Sequence, residues 1–321
     1  MIKYIIRRLL LMIPVILGVT VIVFSLMYII PGDPAIAILG SEASEEALEA
    51  LREQLYLNDP YLIRLARYMY QVFIQGDLGT SYLTGNSISA ELIARFPNSI
   101  FLDVACLVVH LALGIPLGIF AATHRNKVGD YGTMAVSLLG VSIPGFWLSL
   151  MMVLLFSTKL GWFPPYGTGG WKYWVLPIAS TSFFGVGMMA RQTRSSMLEV
   201  LNSDYIVMAR SKGLSENAVI YQHALPNALI PVITVAGSTF GTLFGGGMLV
   251  ETIFSIPGVG YYMVKAVNSL DYPAVQGSIL ILSIAFSLIM LLTDLVMAAV
   301  DPRIRSQFAS GKKKKKIRKE S

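Results

Sequence analysis

Six long apolar stretches, nearly free of charged side chains, constrain the fold of this chain more than any other feature of its sequence. The core of a lipid bilayer takes roughly 20 apolar residues of helix to cross. Only 14% of the residues are charged, against about 25% in a soluble protein. We therefore predict an all-α, polytopic membrane protein with six transmembrane helices. The predicted spans are Leu9–Ile30, Ile100–Ala122, Thr133–Thr158, Trp174–Ala190, Ala228–Val250 and Ser278–Val300.

The first and fourth stretches need separate arguments. The first follows Lys3, Arg7 and Arg8, as the apolar core of a secretory signal would. Such a core has about 7–15 residues, however, and this stretch is longer, so we predict a retained span. The fourth stretch is short and contains Pro177. The distribution of basic residues supports the prediction that this stretch is a membrane span.

The basic residues predict which side of the membrane each connecting segment faces. If both termini are cytoplasmic, the segments 1–8, 123–132, 191–227 and 301–321 lie inside and hold 18 of the 25 lysine and arginine residues. Cytoplasmic segments typically carry such an excess. The net charge of +6 is therefore interpreted as a topology signal, and no nucleic-acid partner is predicted. The run Lys312–Lys316 is either a solvated tail or a binding segment for anionic membrane lipid.

Residues 31–99 are too many for a simple connection between spans, and we predict that they form an extracytoplasmic helical cap. Ser44 is a suitable cap for a first helix, and a second helix is expected after Pro60. The apolar faces of the two helices are predicted to be Leu48, Leu51 and Leu55, and Leu62, Leu65 and Met69. The chain is expected to enter the membrane again near Pro97. This cap is interpreted either as a docking surface or as a purely structural cover.

The cytoplasmic segment 191–227 is far longer than a connection between two spans requires. A first helix is predicted to begin near Asp204 and to end at Gly213, since glycine is favoured just beyond a helix C-terminus. Ser215 is a suitable cap for a second short helix, which Pro226 and Pro231 are expected to limit. Two short helices at an angle would suit a rigid contact for another protein. An amphipathic hairpin on the membrane surface is the alternative.

The spacing of Ala209, Gly213 and Leu225-Pro226 resembles the EAA loop of ABC-importer permeases. In that family the loop contains the coupling helix that seats in a groove of the ATPase subunit. Val207-Met208 replaces the first Glu-Ala and His223 replaces the usual isoleucine, and these departures are similar to the dipeptide/oligopeptide/nickel branch. The resemblance implies that the ATPase-coupling residues are Ala209, Arg210, Lys212, Gly213, Leu214, His223, Leu225 and Pro226.

Further segments match the same branch in chain order. They are Pro31–Ala35, Gly76–Ser81, Arg95–Ser99, Glu251–Gly260, Asp271–Pro273 and Asp301–Arg303. The fourth of these is similar to the external loop that precedes the last span. The resemblance implies an external loop or gate that contains Glu251, Pro257, Gly258, Gly260 and Asp271. It also implies the type I ABC importer permease fold.

Sequence motifs for catalysis are absent from the chain. It has no G-x-x-x-x-G-K-[ST] phosphate loop, so ATP hydrolysis is expected on separate subunits and the chain is not predicted to be an enzyme. Histidine occurs only at positions 110, 124 and 223, and no H-E-x-x-H motif is present. We therefore predict no cofactor and no metal site.

The resemblance implies a permease subunit of an ATP-driven importer for dipeptides or oligopeptides. Its expected partners are a homologous second permease in a heterodimer, two ATP-binding subunits and an extracytoplasmic solute-binding protein. The expected location is a bacterial or archaeal cell membrane. In the predicted organisation, residues 1–30 form the cytoplasmic end and the first span, and residues 31–99 form the cap. Residues 100–300 form a permease domain of five helices, which contains the coupling loop 191–227. Residues 301–321 form a basic cytoplasmic tail.

Other functions stay open at this stage. Asp103 and His110 lie seven residues apart in the second span and therefore share a helix face. Ionisable residues inside a membrane are candidates for a proton relay, which would suit a proton-coupled secondary transporter. Helix packing is the plainer interpretation of both residues. A structural or enzymatic membrane subunit is a third class, and within the branch the solute could instead be a nickel complex or glutathione.

Overall fold

The computed structural model of this protein describes residues 2–300, and every named element in this range is a helix. The predictions for Asp301–Arg303, Lys312–Lys316 and the tail lie outside the described residues. The α-helices are α1 Ile2–Ile29, α2 Pro34–Leu39, α3 Glu45–Gln54, α4 Tyr61–Phe73, α5 Ile88–Thr123, α6 Val128–Ser142, α7 Gly145–Met152, α8 Trp171–Leu201, α9 Asp204–Ser211, α10 Glu216–Ala218, α11 Leu225–Ile253, α12 Val259–Asn268 and α13 Tyr272–Val300. Two π-helical segments, Val153–Lys159 and Val219–Ala224, follow α7 and α10.

Five helical segments in the described part of the chain are long and apolar enough to cross a membrane. A sixth span results if α6 and the helical segment that follows it count as one. The prediction of an all-α, multi-pass membrane protein is therefore confirmed. The uncertain fourth stretch lies within α8, which continues through Pro177.

The third predicted span, Thr133–Thr158, is a bent pair of helical segments in the structure. α6 ends at Ser142, and the segment Gly145–Lys159 continues at an angle of 98° to it. The break has a local cause, because the residue before a proline is disfavoured in the helical conformation. Ile143, which precedes Pro144, is extended with ψ of 126°.

The helix that contains the second predicted span is longer than the span itself. α5 begins twelve positions earlier, at Ile88, and continues through Pro97 without a break in the helix. A proline inside a helix costs one backbone hydrogen bond. The turns before Pro97 are nevertheless held, because Ile88 and Leu92 are buried in a hydrophobic cluster. Packing therefore outweighs the local signal of the proline.

The chain divides into two compact units, and the smaller contains residues 9–100 and 244–285. Its core is a hydrophobic cluster that includes Met27, Ile88, Val259 and Val275. These residues belong to α1, α5, α12 and α13. The small unit thus packs the first turns of α5, which belong to the predicted cap, and the predicted external loop around one core.

Both predicted cap helices are present in the small unit. Ser44 caps α3 by accepting a hydrogen bond from the backbone N–H of Ala47 at 3.3 Å. α4 starts directly after Pro60, but its predicted apolar face is partly wrong, because Leu62 is 72% exposed. Val72 is the buried residue of α4 instead. A short helix that was not predicted, α2, is capped by Asp33.

The large unit comprises residues 2–8, 101–243 and 286–300 of the described chain. Its helices approach closely at glycines. A Cβ atom on Gly118 would lie 2.6 Å from the carbonyl oxygen of Ala190, and one on Gly187 would lie 2.6 Å from that of Ser137. In lipid, such small residues permit the tight packing that holds helices together.

A buried ion pair joins α6 and α8 within the large unit. Arg194 Nε and Nη2 donate to the two carboxylate oxygens of Asp130 at 2.5 and 2.7 Å. The Asp130 side chain is 2% exposed and that of Arg194 is 26% exposed. The backbone N–H of Asn126 adds a third hydrogen bond to Asp130 at 3.0 Å. This bidentate geometry is the strongest form of an arginine–carboxylate contact.

Candidate functional site

The chain from α9 to the first residues of α11 is here called the 204–226 loop. It begins with the predicted first helix. α9 starts at Asp204, where the N-terminal end of the helix dipole favours a negative charge. Ile206 and Ala209 lie three residues apart and therefore on one face of α9. Both side chains are buried in a cluster with Ile119 of α5 and Met197 of α8. One face of α9 is thus anchored in the large unit.

The end of α9 depends on the backbone of Gly213, whose φ is +82°. The N–H of Gly213 donates to the carbonyl of Arg210 at 2.9 Å, and the N–H of Leu214 donates to that of Ala209 at 3.4 Å. This pair of bonds is the Schellman arrangement, in which the residue after the helix adopts the left-handed conformation. Side chains with a Cβ disfavour that conformation by about 1–2 kcal/mol. The predicted helix end at Lys212-Gly213 is confirmed.

An exposed ion pair spans this turn. Arg210 Nε lies 2.8 Å from Glu216 Oε1, and Arg210 Nη2 lies 3.3 Å from Glu216 Oε2. Ser215 caps α10, as predicted, by accepting from the N–H of Ala218 at 3.4 Å. A solvent-exposed pair contributes little to stability. It connects the end of α9 to the first residue of α10 across the Gly213 turn.

The prediction that Pro226 limits the second helix is wrong. The helical path continues from Glu216 through the π-helical segment Val219–Ala224 into α11. The physical reason is the wider π-turn directly before Pro226. Proline has no N–H to donate to the preceding turn, and the wider turn accommodates it without ending the helix. The side chain of Asn227 donates to the carbonyl of His223 at 3.2 Å. It thereby satisfies one carbonyl near the proline.

The 204–226 loop carries exposed apolar side chains. Met208 is 59% exposed and Val207 is 54% exposed. The five exposed large apolar residues of the loop, here called the apolar patch, are Tyr205, Val207, Met208, Leu214 and Tyr221. Several exposed apolar side chains in one short segment favour a contact with another molecule. Of the five, only Leu214 was among the predicted coupling residues.

The predicted coupling residues differ in burial in the structure. Ala209 is buried, and Leu225 packs against the same cluster, so both support the loop rather than face outward. His223 is half-buried. The remaining predicted residues are exposed on the loop, and these are Arg210, Lys212, Gly213, Leu214 and Pro226.

The predicted external residues lie in the small unit, and Glu251 is the centre of a buried network there. Its carboxylate accepts from Ser99 Oγ at 2.6 Å and from the N–H of Tyr261 at 2.8 Å. Ser99 Oγ in turn accepts from the N–H of Val259 at 2.9 Å. These bonds tie the start of α12 to α5. Ser99 lies in a matched motif, but its role as a partner was not predicted.

Pro257, Gly258 and Gly260 surround this network. The side-chain amide of Asn98 donates to the carbonyl of Pro257 at 3.0 Å. A Cβ atom on Gly258 would lie 2.4 Å from the Glu251 carboxyl group, and one on Gly260 would lie 2.6 Å from Met248 Cα. Both positions therefore require glycine for space rather than for a special φ.

Asp271 belongs to a second network of the small unit. It accepts from Ser81 Oγ at 2.5 Å and from the N–H of Tyr82 at 3.0 Å. Asp271 directly precedes α13 and is buried. The structure therefore assigns the five predicted external residues to two hydrogen-bond networks rather than one.

We expect Gly258→Ala to destabilise the small unit by about 1–3 kcal/mol, the usual cost of overpacking. The φ of Gly258 is −101°, so the backbone itself tolerates alanine, and the effect comes from the clash with Glu251. Thermal unfolding in detergent measures it. Gly18→Ala is the control, since nothing lies within 4 Å of its Cβ position, and it should not lower the midpoint. Equal midpoints for Gly258→Ala and the unsubstituted chain would contradict this account.

Asp103 and His110 are both buried in α5. A Cβ atom on Gly185 would lie 2.2 Å from the His110 ring, so the absent side chain at Gly185 is what lets α8 approach the histidine. This contact supports the packing interpretation of His110. Among the described residues, no three histidine, cysteine, aspartate or glutamate side chains form a group that could hold a metal.

Two family models together cover nearly the whole chain. The model described as binding-protein-dependent transport system inner membrane component matches residues 114–306. The model for the N-terminal part of such membrane components matches residues 1–103.

Curated relatives and solved structures agree with these matches. The dipeptide transport system permease protein DppB of Alkalihalophilus pseudofirmus is 42% identical, over 95% of this chain and 100% of the relative. The glutathione transport system permease protein GsiC of Salmonella paratyphi A is 39% identical, over 95% and 99%. An inward-facing structure of the MetNI methionine ABC transporter matches with a TM-score of 0.57 at 18% identity, over 66% of this chain and 96% of that chain.

Proposed function

This chain belongs to the family of binding-protein-dependent transport system inner membrane components, and from that membership we propose that it imports peptides by a movement transmitted through the 204–226 loop. It is a multi-pass permease subunit of an ABC transporter, and the ATPase activity of such systems lies in separate subunits. Asp103 and His110 then need no proton relay, because ATP supplies the energy.

The apolar patch is the observation that carries the proposed coupling. Three of its side chains lie on α9, Leu214 lies in the turn after α9, and Tyr221 lies in the π-helical segment after α10. The Gly213 turn and the Arg210–Glu216 ion pair connect α9 to α10. The opposite face of α9 is buried in the large unit. A push or pull on the apolar patch is therefore transmitted to α5 and α8 rather than absorbed by a flexible loop. A groove on an ATP-binding subunit is the partner that this geometry suits.

The remaining assignments follow from this proposal. Both termini and the 204–226 loop are cytoplasmic, which agrees with the basic residues in segments 191–227 and 301–321. Residues 31–99 and the segment between α11 and α13 then face outward, where a solute-binding protein would deliver its cargo. The loop at Glu251, Pro257, Gly258 and Gly260 borders the external gate. A homologous second permease, two ATP-binding subunits and the lipid of a bacterial or archaeal cell membrane complete the assembly.

Peptides are the proposed solutes because relatives named for dipeptide or peptide transport occur at 41–42% identity over at least 94% of this chain. The relative named for glutathione transport is 39% identical, and glutathione is itself a small peptide with free carboxylates. A nickel complex is the alternative within the branch.

Uptake into proteoliposomes tests the proposed function. The full-length chain is reconstituted with its partner permease, ATP-binding subunits and solute-binding protein, and labelled dipeptide, glutathione and nickel are offered in turn. We expect dipeptide accumulation that requires ATP and the solute-binding protein and persists when the proton gradient is collapsed. Nickel or glutathione uptake without dipeptide uptake would overturn the proposed substrate. Uptake driven by a proton gradient without ATP would overturn the proposed coupling.

A further inference from the structure

A cavity of about 280 Å³ lies within the small unit. Its walls come from α1, the end of α3 and the chain after it, α4, the chain after α4, and the start of α13. Two arginines, Arg64 and Arg67, line it together with tyrosines that include Tyr68 and Tyr82, and no aspartate or glutamate does so among the described residues. The volume is close to the lower end of the range for small-molecule sites. The charged side chains that line the cavity are therefore all basic, and its size suits a small ligand.

Arg64 is the cation of this cavity without an acidic partner. Between residues 31 and 99, all of which the structure describes, Arg52, Arg67 and Arg95 each form an ion pair with at least one carboxylate. Arg64 has none within 4.0 Å, and its hydrogen bond from Nη1 to the carbonyl of Leu57 is long, at 3.3 Å. Its guanidinium also lies 5.4 Å from the centre of the Tyr28 ring. A half-buried guanidinium with spare donors is suited to bind a carboxylate.

Neighbouring hydroxyl groups extend the donor set. Burial raises the pKa of Tyr82 to about 12, although the nearby positive charge of Arg64 opposes the rise. The Tyr82 hydroxyl therefore keeps its proton at neutral pH and is a donor. A second cavity of about 230 Å³ shares Arg64 and Tyr272 with the first. Its one acidic lining residue, Asp33, is already bonded to Arg52 at 2.7 Å, so it does not neutralise Arg64.

We propose that the cavity at Arg64 binds the carboxylate of a small solute, with the guanidinium as the main contact and tyrosine hydroxyls as further donors. For a peptide, that group is the C-terminal carboxylate. The role of the site in import rests on the proposed function, whereas the binding itself does not. The same carboxylate chemistry is present on acidic side chains of a docked protein, and the experiment separates the two sources.

The test uses the full-length chain with its partner permease in lipid nanodiscs. Calorimetry compares N-acetyl-alanyl-alanine with its C-terminal amide, which differ only in the carboxylate. We expect binding of the acid to be at least about tenfold tighter than that of the amide, as for loss of a charge-assisted hydrogen bond. Arg64→Gln should remove this preference, and Arg64→Lys should restore part of it. Equal binding of acid and amide, or no heat up to about 10 mM acid, would overturn the proposal.

Arg95→Gln is the matched control, because Arg95 does not line the cavity and is paired with Glu91. It should leave the preference for the acid unchanged, and loss of the preference in this variant would count against the site. The thermal midpoint of Arg64→Gln should stay close to that of the unsubstituted chain, since the variant loses only a long hydrogen bond to a carbonyl and the distant contact with the Tyr28 ring. If Arg64→Gln weakens the solute-binding protein alone and not the acid, the carboxylate comes from the protein and the proposal fails. Absence of ATP-driven uptake with binding intact would instead contradict the proposed function.

Discussion

Replacing Gly213 by aspartate is expected to abolish ATP-driven transport and the stimulation of ATPase activity while leaving membrane insertion intact. The substitution acts on the turn itself, since φ at Gly213 is +82° and no atom lies within 4 Å of its Cβ position. A Cβ in this conformation costs about 1–2 kcal/mol. The new carboxylate also stands next to the Arg210–Glu216 pair, where it competes for the guanidinium. Both effects change the angle between α9 and α10, on which the apolar patch depends.

Gly213→Asn is the matched control, since asparagine tolerates the left-handed conformation better than other side chains and adds no charge. It should retain a substantial part of transport, whereas Gly213→Val should behave like Gly213→Asp. Uptake, ATPase rate and the amount of chain in the membrane are measured for all three variants. Full transport by Gly213→Asp would refute the assignment of coupling to this loop.

The features that were predicted correctly depend on neighbours in sequence. A span is recognised because lipid selects apolar residues over some 20 consecutive positions, and the helices at Trp171–Leu201 and Tyr272–Val300 follow that rule. Helix ends are equally local, since Ser44 and Gly213 act on backbone groups within a few residues. The sequence is therefore sufficient for the long apolar spans and for the turn at Gly213, but not for the number of helices.

Prolines show where this local reasoning ends. Pro177 and Pro231 lie inside continuous helices, whereas Pro144 follows a helix end and a change of direction of 98°. All three occur in apolar stretches that resemble one another. Whether a proline is accommodated or ends the helix depends on packing around it, which the sequence does not display.

The candidate site was predicted only in part, for the same reason. Glu251 was identified from its motif, but its partner Ser99 is 152 residues away in sequence. The apolar patch was missed because Tyr205, Val207 and Met208 become conspicuous only once α9 is seen to bury its other face. A helical projection of residues 204–211 separates the buried side of α9, with Ile206 and Ala209, from its exposed side. This periodicity was the one sequence signal for the exposed residues.

The ion pair between Asp130 and Arg194 leads to the prediction with the largest expected effect on stability. Asp130→Ala leaves the Arg194 guanidinium partly buried without its carboxylate, and removal of one partner from a buried pair costs about 3–5 kcal/mol. The pair is bidentate and the Asp130 side chain is 2% exposed. The pair therefore belongs with buried ion pairs rather than with surface pairs. The expected result is a fall of at least about 5 °C in the unfolding midpoint in detergent.

The double variant Asp130→Leu/Arg194→Met decides whether that loss comes from the unpaired charge or from the missing contact. Replacing a buried pair by apolar side chains of similar volume is often neutral, because the cost of removing two charges from water disappears together with their attraction. We therefore expect the double variant to be more stable than Asp130→Ala alone. Since Asp130 and Arg194 join α6 to α8, a stable double variant that transports poorly would show that the pair fixes the helices in a working arrangement. A double variant less stable than Asp130→Ala would contradict the assignment of the cost to an uncompensated charge.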